Sequence, residues 1–106
     1  MEMTYKTENR QLTIYMSGEL DHHAARNAMQ LMEEWVEQSV PNKMILDLGG
    51  LTFMDSSGIA VMIRAKRHMD AASGRLSVVN IPRQAARVLE TAGLERYLNL
   101  TPGGQS

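Results

Sequence analysis

Apolar and polar residues alternate from Leu12 to Ser17, with Leu12, Ile14 and Met16 on one side and Thr13, Tyr15 and Ser17 on the other. A period of two predicts a half-buried strand. Met3, Tyr5 and Thr7 form a weaker alternation ahead of it, and Glu8-Asn9-Arg10 has turn character, so the two runs predict an antiparallel hairpin. Gly18-Glu19-Leu20 reads as the break that ends the second strand. The period then changes. Ala24/Ala25, Ala28, Leu31/Met32 and Trp35/Val36 recur at three- and four-residue spacing behind Asp21, whose carboxylate suits an N-cap. These predict a helix that ends at Pro41-Asn42.

Met44-Ile45-Leu46-Asp47-Leu48 is nearly continuous in apolar residues and of strand length, the pattern of an interior strand covered on both faces. Beyond Gly49-Gly50 and Leu51-Thr52-Phe53-Met54 comes Asp55-Ser56-Ser57-Gly58, which opens a second helix with Ile59, Met62, Ala65/Lys66, Met69 and Ala72 on one face. Ser73-Gly74 closes it, with Gly74 suited to a left-handed position. Leu76, Val78 and Val79 predict another short strand. Pro82 then pre-sets the first turn of a third helix, striped by Ala85/Ala86, Val88/Leu89 and Ala92 and stopped by Gly93. Tyr97-Leu98-Asn99-Leu100 fits a last short strand or a packed tail. The order β-β-α-β-α-β-α(-β) predicts an α/β fold, a mixed sheet of four to five strands flanked by three to four helices.

Length and composition narrow the functions open to such a fold. At 106 residues there is room for one core, so a single domain is expected over residues 1–100, with 101–106 as a frayed tail. Zero cysteines exclude disulfides, thiolate metal sites and thiol nucleophiles. A formal net charge of -1 gives no general attraction to nucleic acid or anionic lipid. The N-terminal Met1-Glu2-Met3-Thr4-Tyr5-Lys6 lacks the apolar core of a signal peptide, and the longest strictly apolar run, Ile59 to Ile63, is too short to span a bilayer. A cytoplasmic monomer without cofactor or metal is expected. Nine methionines, among them Met32, Met62 and Met69 at stripe positions, read as adaptable core filling.

Two stretches carry candidate chemistry. In the first, Leu51 to Ile59, an apolar segment runs into a helix opened by Asp55, Ser56, Ser57 and Gly58. Free amides and the positive end of the helix dipole would lie beside the hydroxyls, which suits reversible phosphorylation or anion binding. Ordinary capping is the competing reading. Gly58 would let another backbone approach. A nucleophile elbow does not fit, because glycine is absent from the flanking positions that Ser56 or Ser57 would need. The second stretch is Gly18-Glu19-Leu20-Asp21-His22-His23. Adjacent histidines diverge by about 100° on a helix, and no His-x-x-x-His spacing is present, so a solvated first turn is expected there in place of a metal site. Glycoside chemistry from Glu19 with Asp21, or Asp47 with Asp55, lacks pocket-forming sequence. Arg64, Lys66, Arg67 and His68, with Arg75, Arg83 and Arg87, lack interleaved aromatics and read as a solvated face without nucleic-acid binding.

Taken together, Gly18-Glu19-Leu20-Asp21-His22-His23, Phe53-Met54-Asp55-Ser56-Ser57-Gly58 and Ala92-Gly93-Leu94 resemble the STAS-domain anti-sigma factor antagonists, over about Met3 to Leu100. The resemblance implies a non-enzymatic module that binds an anti-sigma factor which is also a serine kinase, thereby freeing a sigma factor. It implies phosphorylation of the second serine, here Ser57, which ends the association until a serine phosphatase removes the group. By the same carry-over Asp21, Asp55, Ser56, Gly58 and Ile59 lie on or support the partner-binding surface, and Asp21-His22-His23 leans toward sporulation. Such antagonists usually carry a C-terminal helix that this sequence does not show. Alternatives are a STAS module of another partner-switching or stress-signalling complex, or a weak nucleotide-binding domain, although no Gly-x-x-x-x-Gly-Lys-Ser/Thr loop is present.

Overall fold

A computed structural model describes residues 1–102 of the chain. It contains eight elements in chain order: β1 (Glu2–Glu8), β2 (Gln11–Leu20), α1 (His22–Ser39), β3 (Lys43–Met54), α2 (Ser57–Ala71), β4 (Arg75–Ile81), α3 (Arg83–Thr91) and β5 (Leu100–Pro102). The order is the predicted one, with the optional last strand present. β1 and β2 form the antiparallel hairpin, closed by Asn9 and Arg10 at φ 52° and 62°, the left-handed pair a two-residue hairpin turn requires. The remaining pairs, β2 with β3, β3 with β4 and β4 with β5, are parallel.

The sheet order β1-β2-β3-β4-β5 never reverses, so right-handed crossovers place all three helices on one face. Burial reflects that geometry. Leu12, Met44 and Leu76 form one buried row across three strands and Ile14, Leu46 and Val78 another, while Ile45, Asp47 and Val79 between them are only half-buried. The expectation that Met44–Leu48 is covered on both faces is therefore corrected, since helices cover one face only. Six methionines, Met16, Met32, Met44, Met54, Met62 and Met69, are fully buried in the single core. Their core-filling role is the one read from the stripes.

Local differences from the sequence expectation each have a physical cause. α1 ends just short of Pro41, capped by Val40, which takes φ 44° and donates its amide to the Val36 carbonyl. Ser73, not Gly74, occupies the left-handed position after α2, and Gly74 is needed because a Cβ there would stand 2.6 Å from the Asn42 carbonyl oxygen. The buried stripe of α2 is Gly58, Val61, Met62, Ala65 and Met69, rotated from the expected one so that Ile59 is half-exposed. The last strand runs Leu100–Pro102 and so includes the first two residues of the expected tail, while Leu94 and Leu98 pack as a buried turn before it. Residues 103–106 of the expected tail lie outside the described residues.

The largest difference concerns strand length. β2 does not break at Gly18: the glycine, at φ 93°, introduces an irregularity and pairing resumes as Glu19 with Phe53 and Leu20 with Met54. β3 likewise continues through Gly49-Gly50. The two strands thus run side by side to their last residues, and α1 and α2 start next to each other as a result.

Candidate functional site

The parallel register Leu20↔Met54 brings the two chemically interesting stretches together at the end of the sheet where the helices begin. Asp21 comes directly after β2 and Asp55 directly after β3, and the Asp55 amide donates to the Leu20 carbonyl at 3.2 Å across the gap. Each aspartate caps its own helix. Asp21 Oδ1 accepts from the Ala24 amide at 2.9 Å, and that hydrogen bond is the main cause holding its carboxyl below the ordinary carboxylate value. Asp55 Oδ1 accepts from the Ser57 amide at 2.8 Å. Ser56, already helical at φ -64°, makes no side-chain cap bond, so the carboxylate before it performs the capping.

The first turn of α2 is more self-contained than a bare helix start. Besides the Ser57 amide held by Asp55, the Gly58 amide donates to the Asp55 carbonyl at 3.0 Å and the Ile59 amide to the Ser56 carbonyl at 3.1 Å. This corrects the expectation of free amides beside the hydroxyls for Ser57, Gly58 and Ile59, whose N–H groups the tight turn uses internally. Gly58 is also corrected in its role. It is buried, and a Cβ on it would meet Met54 Cγ at 2.5 Å and Leu20 Cδ2 at 3.2 Å, so the glycine serves the packing of α2 onto the two strand ends and not the approach of an outside backbone.

Ser56 is exposed, Ser57 and Ile59 half-exposed, and Asp21 and Asp55 half-buried beneath them. Ser56 and Ile59 form one wall of an open groove of about 510 Å³ whose other wall is Gln84, Arg87 and Val88 of α3. Phe53, 40% exposed, stands just before the junction.

Two residues belong to this site whose roles there the sequence did not show. Gln84 bonds the Met54 backbone twice, Nε2 donating to the carbonyl at 2.8 Å and Oε1 accepting from the amide at 2.8 Å. β4 pairs β3 only from Lys43 to Asp47, so the glutamine side chain stands in for a missing strand neighbour at the far end of β3. A lone glutamine in a helix's first turn carries no signal of this. His22 is the other: its Nδ1 lies 3.4 Å from Ser57 Oγ. The expected solvated first turn describes its exposure but not this neighbour. Adjacency of the two motifs would have revealed it, but the apparent break at Gly18 conceals that adjacency.

The basic cluster is partly committed to ion pairs within α2 and between α2 and α1. Arg64 pairs with Glu33 of α1, Lys66 with Asp70 at 2.7 Å, and His68 Nε2 lies 3.8 Å from Glu33.

A family model described as the STAS domain matches residues 2–104. The chain belongs to the STAS domain family. This STAS domain is 32% identical over 87 residues to the anti-sigma F factor antagonist of Lysinibacillus sphaericus, covering 82% of this chain and 74% of that protein. Its fold matches the anti-sigma factor antagonist SpoIIAA in its unphosphorylated form with a TM-score of 0.81 at 26% identity, over 93% of this chain and 87% of that one. The Bacillus cell fate determinant SpoIIAA in its phosphorylated form matches with a TM-score of 0.72 at 26% identity, over 93% and 90% of the two chains. The five-stranded mixed sheet and its element order are those of the SpoIIAA fold.

Proposed function

We infer that this STAS domain is an anti-sigma factor antagonist of a partner-switching system, active when Ser57 is unmodified and switched off when it is phosphorylated. The observation that carries this reading is the half-exposed Ser57 at the joint start of α1 and α2, next to the groove between α2 and α3. The names of its relatives, anti-sigma F factor antagonist among them, support the partner class. SpoIIAA occurs in a phosphorylated and an unphosphorylated form, which supports the switch. The partner is an anti-sigma factor with serine kinase activity, a serine phosphatase restores the active form, and Asp21-His22-His23 leans the pathway toward sporulation.

The residues divide the work. Ser56 and Ile59 offer contact area, Ser57 takes the phosphoryl group, and Asp21, Asp55 and Gly58 hold the joint in shape from beneath. A phosphoserine adds about -1.5 to -2 charges beside the Asp55 carboxylate, whose Oδ1 holds the Ser57 amide, so a partner that must desolvate this face is repelled while the fold is left alone. Weak nucleotide binding is the poorer reading, because the amides of Ser57, Gly58 and Ile59 are already bonded. Incubation with the anti-sigma factor kinase and ATP, followed by mass-spectrometric mapping, is expected to place one phosphate on Ser57. Phosphate found only elsewhere would sink the assignment.

A further inference from the structure

Phosphorylating a serine at a helix start usually recruits the free amides of the first turn, but here those of Ser57, Gly58 and Ile59 are spent within the turn. Both nearby carboxylates are spent as well, Asp21 on the Ala24 amide and Asp55 on the Ser57 amide, and neither could donate to a phosphoryl group while ionised. Among the described residues the one side chain within hydrogen-bond reach of Ser57 Oγ is His22, at 3.4 Å. It comes from a different element, placed there by the Leu20↔Met54 register, and it is exposed enough to reorient as the group on Ser57 grows.

We propose that His22 reads the state of Ser57, its Nδ1 accepting from the hydroxyl before modification and, as an imidazolium, donating to the phosphoryl oxygens afterwards. This rests on the reading of Ser57 as the modified residue. Imidazole is suited to both states because it exchanges one acceptor for a charged donor by taking up a proton near neutral pH. Phosphorylation therefore takes up part of a proton at this site, and by linkage the phosphoserine dianion and the imidazolium stabilise each other equally. The charged groups near the imidazole are the Met1 α-ammonium, His23 and Arg26, which line an open pocket with it, Asp21 beside it in the chain, and Asp55, whose Oδ1 holds the Ser57 amide. All of these groups are common to every chain compared except where His23 is itself replaced. His23 is one residue further along the helix, turned by about 100°, and is given no such role.

The test uses phosphoserine installed at position 57 during translation, so that no kinase is needed, and tracks its second ionisation by phosphorus NMR as pH is varied. With His22 present the midpoint is expected about half to one pH unit below that of the His22→Gln chain, the size of a close ion pair at a wet surface. His23→Gln is expected to keep the midpoint of the unsubstituted chain. An identical midpoint with and without His22, or an equal displacement by His23→Gln, overturns the proposal. Exposed positions in a first helical turn tolerate glutamine, and circular dichroism of each chain checks the fold. Because Ser57 is modified by synthesis here, this result stands apart from the kinase experiment, whose failure would remove the reading of Ser57 without touching the coupling.

Discussion

Asp21 and Asp55 show how one residue type, used twice at adjacent strand ends, builds a joint from local chemistry. Each carboxylate accepts from an amide of the helix it starts. For Asp21 the hydrogen bond from Ala24 lowers the carboxyl from its ordinary value, and this direction sets the sign of the pH effect. A carboxyl lowered in the folded chain contributes stability that is complete above its unfolded value of about 3.9 and is lost as pH falls through the lower folded value. Thermal midpoints measured from neutral pH down to about pH 2 are expected to fall more steeply for the native chain than for Asp21→Asn, whose cap does not titrate. Parallel curves would deny the cap its electrostatic part. Gly58 supplies a second prediction at this scale. A methyl group there overlaps Met54 and Leu20, and Gly58→Ala is expected to cost about 1–3 kcal/mol in denaturant unfolding. An unchanged midpoint would mean that Met54 swings aside freely.

Elements are where sequence and structure part company. Periodicity locates the helices and the first hairpin, because α1 and α3 carry clean stripes and β2 alternates through its first half. It ends β2 too early, at Gly18, and gives β3 only as Met44–Leu48, because glycine lowers strand propensity and a single sequence does not show the partner strand that keeps it extended. The residues of the site are therefore legible, Asp21 and Asp55 to Ile59 among them, but their adjacency is not. Gln84 is invisible for a related reason: its role exists only because β4 stops pairing at Asp47 while β3 goes on to Met54. Gln84→Ala removes both bonds to the Met54 backbone, with an expected loss of about 1 kcal/mol and faster hydrogen exchange at the Met54 amide. Unchanged exchange there would show that α3 does not hold the joint.

On the scale of the whole molecule, crossovers that all run in one direction put the three helices on one face and their N-termini along one end of the sheet. Two of those N-termini, with the groove beside them, make the proposed contact surface, and the chain measures only 31 × 26 × 22 Å. In so small a body the proposed binding site and the proposed switch share one face. The formal net charge of -1 goes to roughly -2.5 to -3 on a single phosphorylation, a large relative change concentrated at that face. Partner switching by Ser57 therefore turns on one comparison, the release of labelled sigma factor from its complex with the anti-sigma factor kinase, titrated with this chain. The unmodified chain and Ser57→Ala are expected to release the sigma factor, whereas the phosphoserine-57 form and Ser57→Asp should need at least about tenfold more protein, the effect of about 1.4 kcal/mol of lost binding. Equal release by the modified and unmodified forms, or release by neither, would contradict it.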